Sequence, residues 1–338
     1  MPLASQERET RQASATSAPE VSVIIPAYNV SKYIGEALDS VFKQTFQGFE
    51  VIVVNDGSPD TEQLEKVLET YRDRIVYLPQ ENKGLAGARN TAIRAARGTY
   101  VALLDADDFW EPDYLAVQLD YLHRNPDMDV VSCNSRFFGD KTYAGRNFMD
   151  VFPSDGPVTF ESLVTRKCNV FVSVTARREA IERSGLFDES LMSCEDYDMW
   201  LRLAADGRRI GYHRKVLVNY RRHEASLSAD PVWMAERNSK VIEKWQRDIP
   251  PVVREWWLLE ERRKKNISEA DYWRARQAFA RGDVIKAVEH FKKANEVLRS
   301  PKLKGTIFCL RTMPNLALRA YKIKRKLKSK GEWVFGQK

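Results

Sequence analysis

The sequence predicts an α/β fold with a mixed, mostly parallel, Rossmann-like sheet flanked by helices, followed by a C-terminal α-helical appendage. Short runs rich in Val and Ile alternate with segments of helical periodicity up to about residue 104, which is the pattern of a parallel sheet. After about residue 228 the composition changes to long charged helices. We therefore expect a disordered leader at 1–18, an α/β domain at 19–228 and a helical region with a basic tail at 229–338.

Four strands and three helices are predicted in order along the first third of the chain. Each predicted strand is an apolar run that ends at a proline or a polar cluster, and each helix has apolar residues three and four apart. The strands are Val21–Ile25, Glu50–Val54, Ile75–Leu78 and Tyr100–Leu104, and the helices follow Ser31, include Leu64–Tyr71 and span Gly84–Ala96. The middle third predicts strands at Met128–Cys133, Val170–Thr175 and Val216–Tyr220 and a helix at Tyr197–Ala205.

Polar clusters follow three of these strands. Asn29, Asp56 and the run Asp105–Asp108 each come where a strand ends. Ligands of parallel α/β sheets bind beyond the carboxyl ends of the strands, so three strands direct polar side chains to one edge. The sequence therefore predicts a binding site at that edge.

The triplet Asp105-Ala106-Asp107 predicts a metal and diphosphate site. Carboxylates two residues apart in an extended segment point the same way, so both can face a cation. Oxygen ligands suit Mg²⁺ or Mn²⁺. His223, after the last predicted strand, is a further candidate for the metal or the diphosphate. An acidic surface turn and an ordinary loop histidine are the alternatives.

Three further side chains are candidates for ligand contact. Asp56 can accept a hydrogen bond from a base or a ribose, as acids after Rossmann strands do, or it can form an Asx turn with Gly57. Arg89 lies near the glycine-containing start of a predicted helix, where the helix N-terminus favours a bound anion. The alternative is an ordinary surface arginine. Trp110 follows the acidic run and is a candidate for stacking on a sugar or base.

Asp196 is the candidate general base. It lies with Glu195 in a cluster of acids that precedes an amphipathic helix. A hydroxyl nucleophile has a high pKa, so a carboxylate must take its proton as the new bond forms. The alternative is a set of acids that complements the helix dipole.

Absent motifs narrow the class of protein. The sequence has no GxxxxGK[ST], GxGxxG, GxSxG or HExxH, and its four cysteines form no CxxC pair. The first twenty residues have no apolar core, and no apolar run approaches the roughly 20 residues of a transmembrane helix. We expect a cytoplasmic protein.

The net charge of +7 is concentrated near the C-terminus. Residues 297–331 contain eleven Lys or Arg and no acid, whereas the rest of the chain has 43 basic and 47 acidic residues. A solvated helix face and a surface for anionic lipid are the two main interpretations. Nucleic acid is not expected, because aromatic residues are not interleaved with the charges. The segment Thr306–Lys328 mixes apolar and basic residues and predicts peripheral contact with the inner membrane face.

Together, five stretches resemble the inverting glycosyltransferase family 2, of the GT-A fold and the bacterial cell-surface polysaccharide type. They occur in the family's order between Val21 and Ser228. They are SVIIPAYN (Ser22–Asn29), EVIVVNDGSPD (Glu50–Asp60), NKGLAGARN (Asn82–Asn90), DADD (Asp105–Asp108) and CEDYDMWLRL (Cys194–Leu203).

The resemblance implies transfer of a sugar, with inversion, from a nucleotide diphosphate-sugar to a hydroxyl of a glycan or lipid-linked acceptor. It implies a role in surface polysaccharide or lipid-linked glycan assembly. A divalent metal, Mn or Mg, would be held by Asp107 and His223, and Asp196 would be the base. Glu195 and Trp110 would lie on the acceptor side. The nucleotide and donor would contact Pro26, Ala27, Tyr28, Asp56, Arg89, Asp105 and Ala106.

Two alternatives to transfer are open at this point. A catalytically silent member of the same fold would bind a nucleotide sugar or a protein, and would be expected to have lost Asp105, Asp107 or the Glu195–Asp196 pair. All of these are present. A nucleotidyltransferase would need a Gly-rich first loop with Arg and Lys, which Pro26–Asn29 does not supply.

Overall fold

The computed structural model describes residues 18–139, 143–224 and 226–329. The chain divides into two compact units, with the boundary after Glu224. Of the leader predicted at 1–18, all but Ala18 lies outside the described residues. The end of the predicted basic tail, residues 330–338, also lies outside them.

The described part of the first unit contains one sheet of eight strands, in the order β3-β2-β1-β4-β7-β6-β8-β5. Strands β1 to β4 are parallel to one another, β7 is antiparallel to β4 and β6, β8 is parallel to β6, and β5 is antiparallel to β8. The predicted mixed α/β fold is confirmed. The strands are β1 (Val21–Ala27), β2 (Phe49–Asp56), β3 (Val76–Gln80), β4 (Tyr100–Leu103), β5 (Phe109–Trp110), β6 (Val130–Phe138), β7 (Val174–Arg177) and β8 (Ile210–Arg221).

Helices connect these strands and cover the sheet. Apolar side chains of the helices and the sheet form one large buried core, which includes Leu38, Val53 and Leu119. The helices are α1 (Ile34–Phe42), α2 (Thr61–Leu68), α3 (Gly84–Ala95), α4 (Tyr114–Arg124), α5 (Phe148–Val151), α6 (Phe160–Val164), α7 (Arg178–Arg183) and α8 (Glu195–Ala205), with a 3-10 helix at Glu69–Arg74.

Strand β1 is longer than the sequence predicts. All seven of its residues are buried, as expected for a central parallel strand covered on both faces. It continues through Pro26, which was expected to end it. The pairing of β1 with β4 stops at Ile24, so one side of β1 is outside the ladder at Pro26, and a residue without an N–H group is tolerated there.

Helix α1 begins at Ile34, three residues after the expected cap at Ser31. The backbone N–H of Ser31 donates to the carboxylate of Asp60 at 2.9 Å. That contact ties the loop after β1 to the start of α2. The segment from Ser31 to Tyr33 therefore belongs to the loop at the strand ends.

The second unit contains the predicted C-terminal helices. Its small core includes Ala275, Phe291 and Leu310, and Gly282 makes the turn between the second and third helices with a φ of +88°. No helix in the described ranges is long and apolar enough to cross a membrane. The helices are α9 (Pro231–Asp248), α10 (Arg254–Ala280), α11 (Val284–Leu298), α12 (Pro301–Thr312) and α13 (Pro314–Ser329).

Candidate active site

The sheet order places the carboxyl ends of β2, β1 and β4 next to one another. Three groups of predicted site residues lie at these strand ends. Pro26, Ala27 and Tyr28 lie at the end of β1, Asp56 is the last residue of β2, and Asp105 comes two residues after β4. The side chains of Pro26 and Ala27 are buried, whereas Tyr28 is half exposed. At this edge of the sheet, Pro26 and Ala27 can therefore contact a ligand only through their backbone atoms.

The carboxylate of Asp56 is buried and fixed by its neighbours. Its Oδ1 atom accepts hydrogen bonds from the side chain of Gln80 at 2.7 Å and from the backbone N–H of Lys83 at 2.8 Å. The turn that follows is held by Asn55, whose side chain accepts from the backbone of Ser58 at 3.0 Å. The side chain that holds this turn is therefore Asn55 and not Asp56, whose carboxylate faces the neighbouring β3–α3 loop.

Arg89 lies at the centre of the candidate site. Its side chain is 1% exposed, so it is not the surface arginine of the alternative interpretation. One guanidinium nitrogen, Nη2, contacts Asp105 Oδ1 at 2.6 Å, and the other, Nη1, contacts Glu195 Oε1 at 2.5 Å. Asp105 follows β4 and Glu195 begins α8, so one buried cation joins two acidic segments that are 90 residues apart in sequence.

The two carboxyl groups at the start of α8, Glu195 and Asp196, have raised pKa values. Burial raises the pKa of Glu195 to about 7, even though the charge of Arg89 lowers it. Burial also raises the pKa of Asp196, and the nearby charge of Asp105 raises it further, while Arg89 again opposes the shift. Such a carboxylate holds a proton more strongly than an ordinary aspartate does. This is the property that a general base requires.

The acidic loop after β4 has the same excess of negative charge. Burial raises the pKa of Asp107, and the charge of Asp105 raises it further. Burial raises the pKa of Asp108 well above its usual value, with additional repulsion from both neighbouring carboxylates. Carboxylates that repel one another in a buried loop are stabilised by a bound cation.

Asp107 and His223 fit a divalent metal. Asp107 Oδ2 and His223 Nε2 are 3.1 Å apart, which brings an oxygen and a nitrogen donor together. Within the ranges that the structure describes, no group of three or more His, Cys, Asp or Glu side chains forms a complete metal cage. Mg²⁺ in phosphate-binding sites commonly takes one or two protein ligands and completes its shell with phosphate oxygens and water. One carboxylate oxygen and one imidazole nitrogen fit a metal ion that binds together with a diphosphate.

Arg221 holds the acidic loop in place, and the sequence interpretation missed it. Its backbone N–H donates to Asp108 Oδ1 at 2.8 Å, and its Nε donates to the carbonyl oxygen of Asp107 at 2.7 Å. Its guanidinium lies 4.9 Å from the ring centre of Tyr33, which stacks on His223 at 5.0 Å. The only sequence signal was the position of Arg221 at the end of β8, close to His223.

A family model described as glycosyl transferase family 2 matches residues 22–183. An uncharacterized glycosyltransferase of Rickettsia typhi is 32% identical over 226 residues, which cover 63% of this chain and 67% of that protein. The chain belongs to glycosyl transferase family 2. The matched residues include Asp56, Arg89 and Asp105–Asp108, while Asp196 and His223 lie beyond them.

Other similar proteins share only part of their length with this family 2 chain. The chondroitin synthase of Escherichia coli is 34% identical over 209 residues, which cover 60% of this chain and 29% of that protein. The chain thus spans about two thirds of the Rickettsia typhi relative and under a third of the synthase.

Solved structures share the fold over most of this chain. Staphylococcus aureus TarS 1–349 superimposes with a TM-score of 0.56 at 20% identity, covering 94% of this chain and 93% of that one. The mannosyltransferase PcManGT from Pyrobaculum calidifontis, in complex with GDP-Man and Mn²⁺, gives a TM-score of 0.58 at 23% identity, covering 91% and 90%. Both support a GT-A-like fold.

The predicted ligand contacts of Trp110 and Ala106 must be corrected in this family 2 chain. Trp110 is 3% exposed, its Nε1 donates to Ser173 Oγ at 2.9 Å, and its ring stacks on Tyr114 at 3.9 Å. The expectation that it stacks on a sugar or base is wrong, because pairing of β5 with β8 turns the indole into the core. The methyl group of Ala106 is also buried, so only its backbone can contact a donor.

Proposed function

We propose that this protein is an inverting, metal-dependent glycosyltransferase. It moves a sugar from a nucleotide diphosphate-sugar to a hydroxyl of a glycan or lipid-linked acceptor. The observation that carries the proposal is the buried Arg89, which joins the acidic loop after β4 to the acidic start of α8 through contacts of 2.6 and 2.5 Å. Membership of family 2 supports sugar transfer, and the similarity to a chondroitin synthase supports a role in polysaccharide assembly.

The donor would bind at the ends of β1, β2 and β4. Asp56 would accept a hydrogen bond from the base or ribose, beside the exposed ring of Tyr28 and the backbone of Pro26 and Ala27. Asp105 and the backbone of Ala106 would contact the ribose or the donor sugar. Structures similar to this chain are described in complex with UDP-GlcNAc and with GDP-Man, which supports this class of donor.

Asp107 and His223 would hold a divalent metal, Mn or Mg. The metal, when bound, supplies positive charge that stabilises the departing diphosphate. Arg221 keeps the backbone of Asp107 and the carboxylate of Asp108 in place through its two hydrogen bonds. The Mn²⁺ in the mannosyltransferase complex supports a metal of this kind.

Asp196 would be the general base, with Glu195 beside it on the acceptor side. In a single displacement, the acceptor oxygen attacks the anomeric carbon while its proton passes to the carboxylate and the diphosphate leaves. The charge of Arg89 lowers the pKa of Asp196 against the effect of burial, so Arg89 helps to keep the base ionised. We assign Arg89 a positioning role rather than a direct contact with the nucleotide, because both of its terminal nitrogens are engaged by carboxylates.

The proposal is tested by a donor panel on the full chain. Thermal shift and slow donor hydrolysis are measured with UDP-, GDP- and dTDP-sugars in Mn²⁺, Mg²⁺ or EDTA. We expect one nucleotide class to stabilise the protein only with metal, and Asp196→Asn to keep that stabilisation but lose hydrolysis. Asp120→Asn, an exposed acid on α4, controls for loss of a negative charge. Stabilisation without hydrolysis or transfer by the wild-type protein would indicate the silent binding module, and no stabilisation by any nucleotide would refute the donor site.

A further inference from the structure

Helix α12 has two different faces. Leu303, Ile307 and Leu310 recur at helical spacing and pack in the core of the second unit. On the side turned away from that core, Phe308 is 65% exposed. Lys304 lies one turn before it and Arg311 one turn after it, both exposed. A large aromatic side chain therefore stands in solvent between two cations.

Helix α13 repeats this arrangement. Its inner face contains Ala317 and Tyr321, and the Tyr321 ring lies 5.2 Å from the ring of Phe279. Its outer face contains Leu316 and Ile323, which are 62% and 61% exposed and are two turns apart. Arg319 is exposed between them. Two successive helices thus present apolar side chains together with cations on their outer faces.

The positive charge of these faces is not neutralised locally. The sequence contains no acid between residues 297 and 331. Elsewhere in the second unit, cations pair with acids, as Arg263 does with Glu260 at 2.8 Å. Within residues 226–329, the side chains of Lys304, Arg311 and Arg319 form no ion pair. These cations are available to an external anion.

We propose that the outer faces of α12 and α13 dock on an anionic lipid bilayer. Phe308, Leu316 and Ile323 enter the boundary between headgroups and acyl chains, while the neighbouring cations contact acidic headgroups. The helices lie on the membrane and do not span it, because they are 12 and 16 residues long and carry charge throughout. A bilayer fits better than a nucleic acid because two of the three exposed apolar side chains, Leu316 and Ile323, are aliphatic, whereas nucleic acid binding favours stacking aromatics.

The proposal is tested by co-sedimentation of the full chain with vesicles. The probes are vesicles of phosphatidylcholine alone and of phosphatidylcholine with phosphatidylglycerol. We expect binding only to the mixed vesicles, and weaker binding at high salt. Each basic residue near an anionic surface contributes about fivefold to binding, so Lys304→Gln/Arg311→Gln/Arg319→Gln should weaken it about a hundredfold.

A second variant separates the apolar contribution from the charge. Phe308→Ser/Leu316→Ser/Ile323→Ser keeps every cation and should still lose at least roughly tenfold in binding, because the apolar side chains no longer enter the interface. Val252→Ser, which changes an exposed apolar residue in the loop before α10, should bind as the wild type does. Equal binding by all variants, or equal binding to neutral vesicles, would overturn the proposal.

The membrane surface does not depend on the proposed transfer reaction. All variants should keep the melting temperature of the wild type and its thermal shift with a donor, since none lies at the sheet edge. Size-exclusion chromatography tests the alternative that a second copy of the chain covers these faces. A wild-type dimer that the serine variant converts to a monomer, with no vesicle binding by either, would assign the surface to self-association and refute membrane docking.

Discussion

Replacing Arg89 by methionine should strongly destabilise the first unit. The guanidinium is 1% exposed and contacts Asp105 and Glu195, whose side chains are 26% and 4% exposed. Methionine fills a similar volume but leaves both carboxylates without their cation. Removal of one partner from a buried ion pair costs about 3–5 kcal/mol, because the remaining charge stays buried and uncompensated.

The expected change in melting temperature follows from this cost. For a unit of about 200 residues, each kcal/mol corresponds to about 2–4 °C, so Arg89→Met should lower the melting temperature by about 6–20 °C. Differential scanning calorimetry measures this directly. The matched control is Arg94→Met on the same helix, whose ion pair with Glu189 spans 3.8 Å at the surface. A surface pair of this kind contributes about 1 kcal/mol or less.

A double variant tests the cause of the instability. If the unpaired carboxylate is responsible, Arg89→Met/Glu195→Gln should melt above Arg89→Met at a pH above the pKa of Glu195, because it removes the more buried of the two charges. Arg89→Met should also raise the pKa of Asp196, so that catalytic activity begins at a higher pH. Equal melting temperatures for the Arg89 and Arg94 variants, or no recovery in the double variant, would refute the assigned role of Arg89.

Three more predictions concern the site and its surroundings. Asp196→Asn should lower kcat by roughly 10²–10⁴ while donor-induced stabilisation is kept. Since burial raises the pKa of Asp196, wild-type activity should fall as pH decreases, around a midpoint above the ordinary pKa of aspartate. A pH–rate profile without this acidic limb would contradict the assignment of Asp196 as the base. Asp107→Asn and His223→Ala should each abolish the extra thermal stabilisation that Mn²⁺ gives to the donor complex, and an unchanged metal effect would remove them as ligands. Trp110→Phe should cost about 1 kcal/mol of stability through the lost hydrogen bond to Ser173 and leave kcat unchanged, whereas a large loss of kcat would restore Trp110 to the site.

The order of strands and helices over the first hundred residues could be predicted from the sequence, because each of these elements has a local signal, whereas β5 and helices α4 to α7 were not predicted. The centre of strand β2, Val51–Val54, is a continuous run of apolar residues, and its burial on both faces follows from that composition. The convergence of Asp56 and Asp105 on one edge follows from the rule for parallel sheets. These features depend on periodicity and on the direction of strands, which a single sequence contains.

The contacts within the site could not be predicted in the same way. The bridge from Arg89 to Glu195 joins residues 106 positions apart, and no local pattern specifies such a partner. Trp110 was assigned to a ligand because it follows the acidic run, but its place depends on an antiparallel pairing with Val218 more than a hundred residues away. Arg221 was missed for the same reason, since its partners come from three separate segments.

The central claim is transfer with inversion at a site where Asp196 acts as the base. The most direct measurement is proton NMR of the sugar released from the preferred donor, at a protein concentration high enough to complete hydrolysis before the anomers of the free sugar equilibrate. The account predicts that wild-type protein with Mn²⁺ or Mg²⁺ releases the anomer opposite to that of the donor, and that Asp196→Asn releases almost none. Release of the same anomer as in the donor, or an unchanged rate in Asp196→Asn, would contradict it.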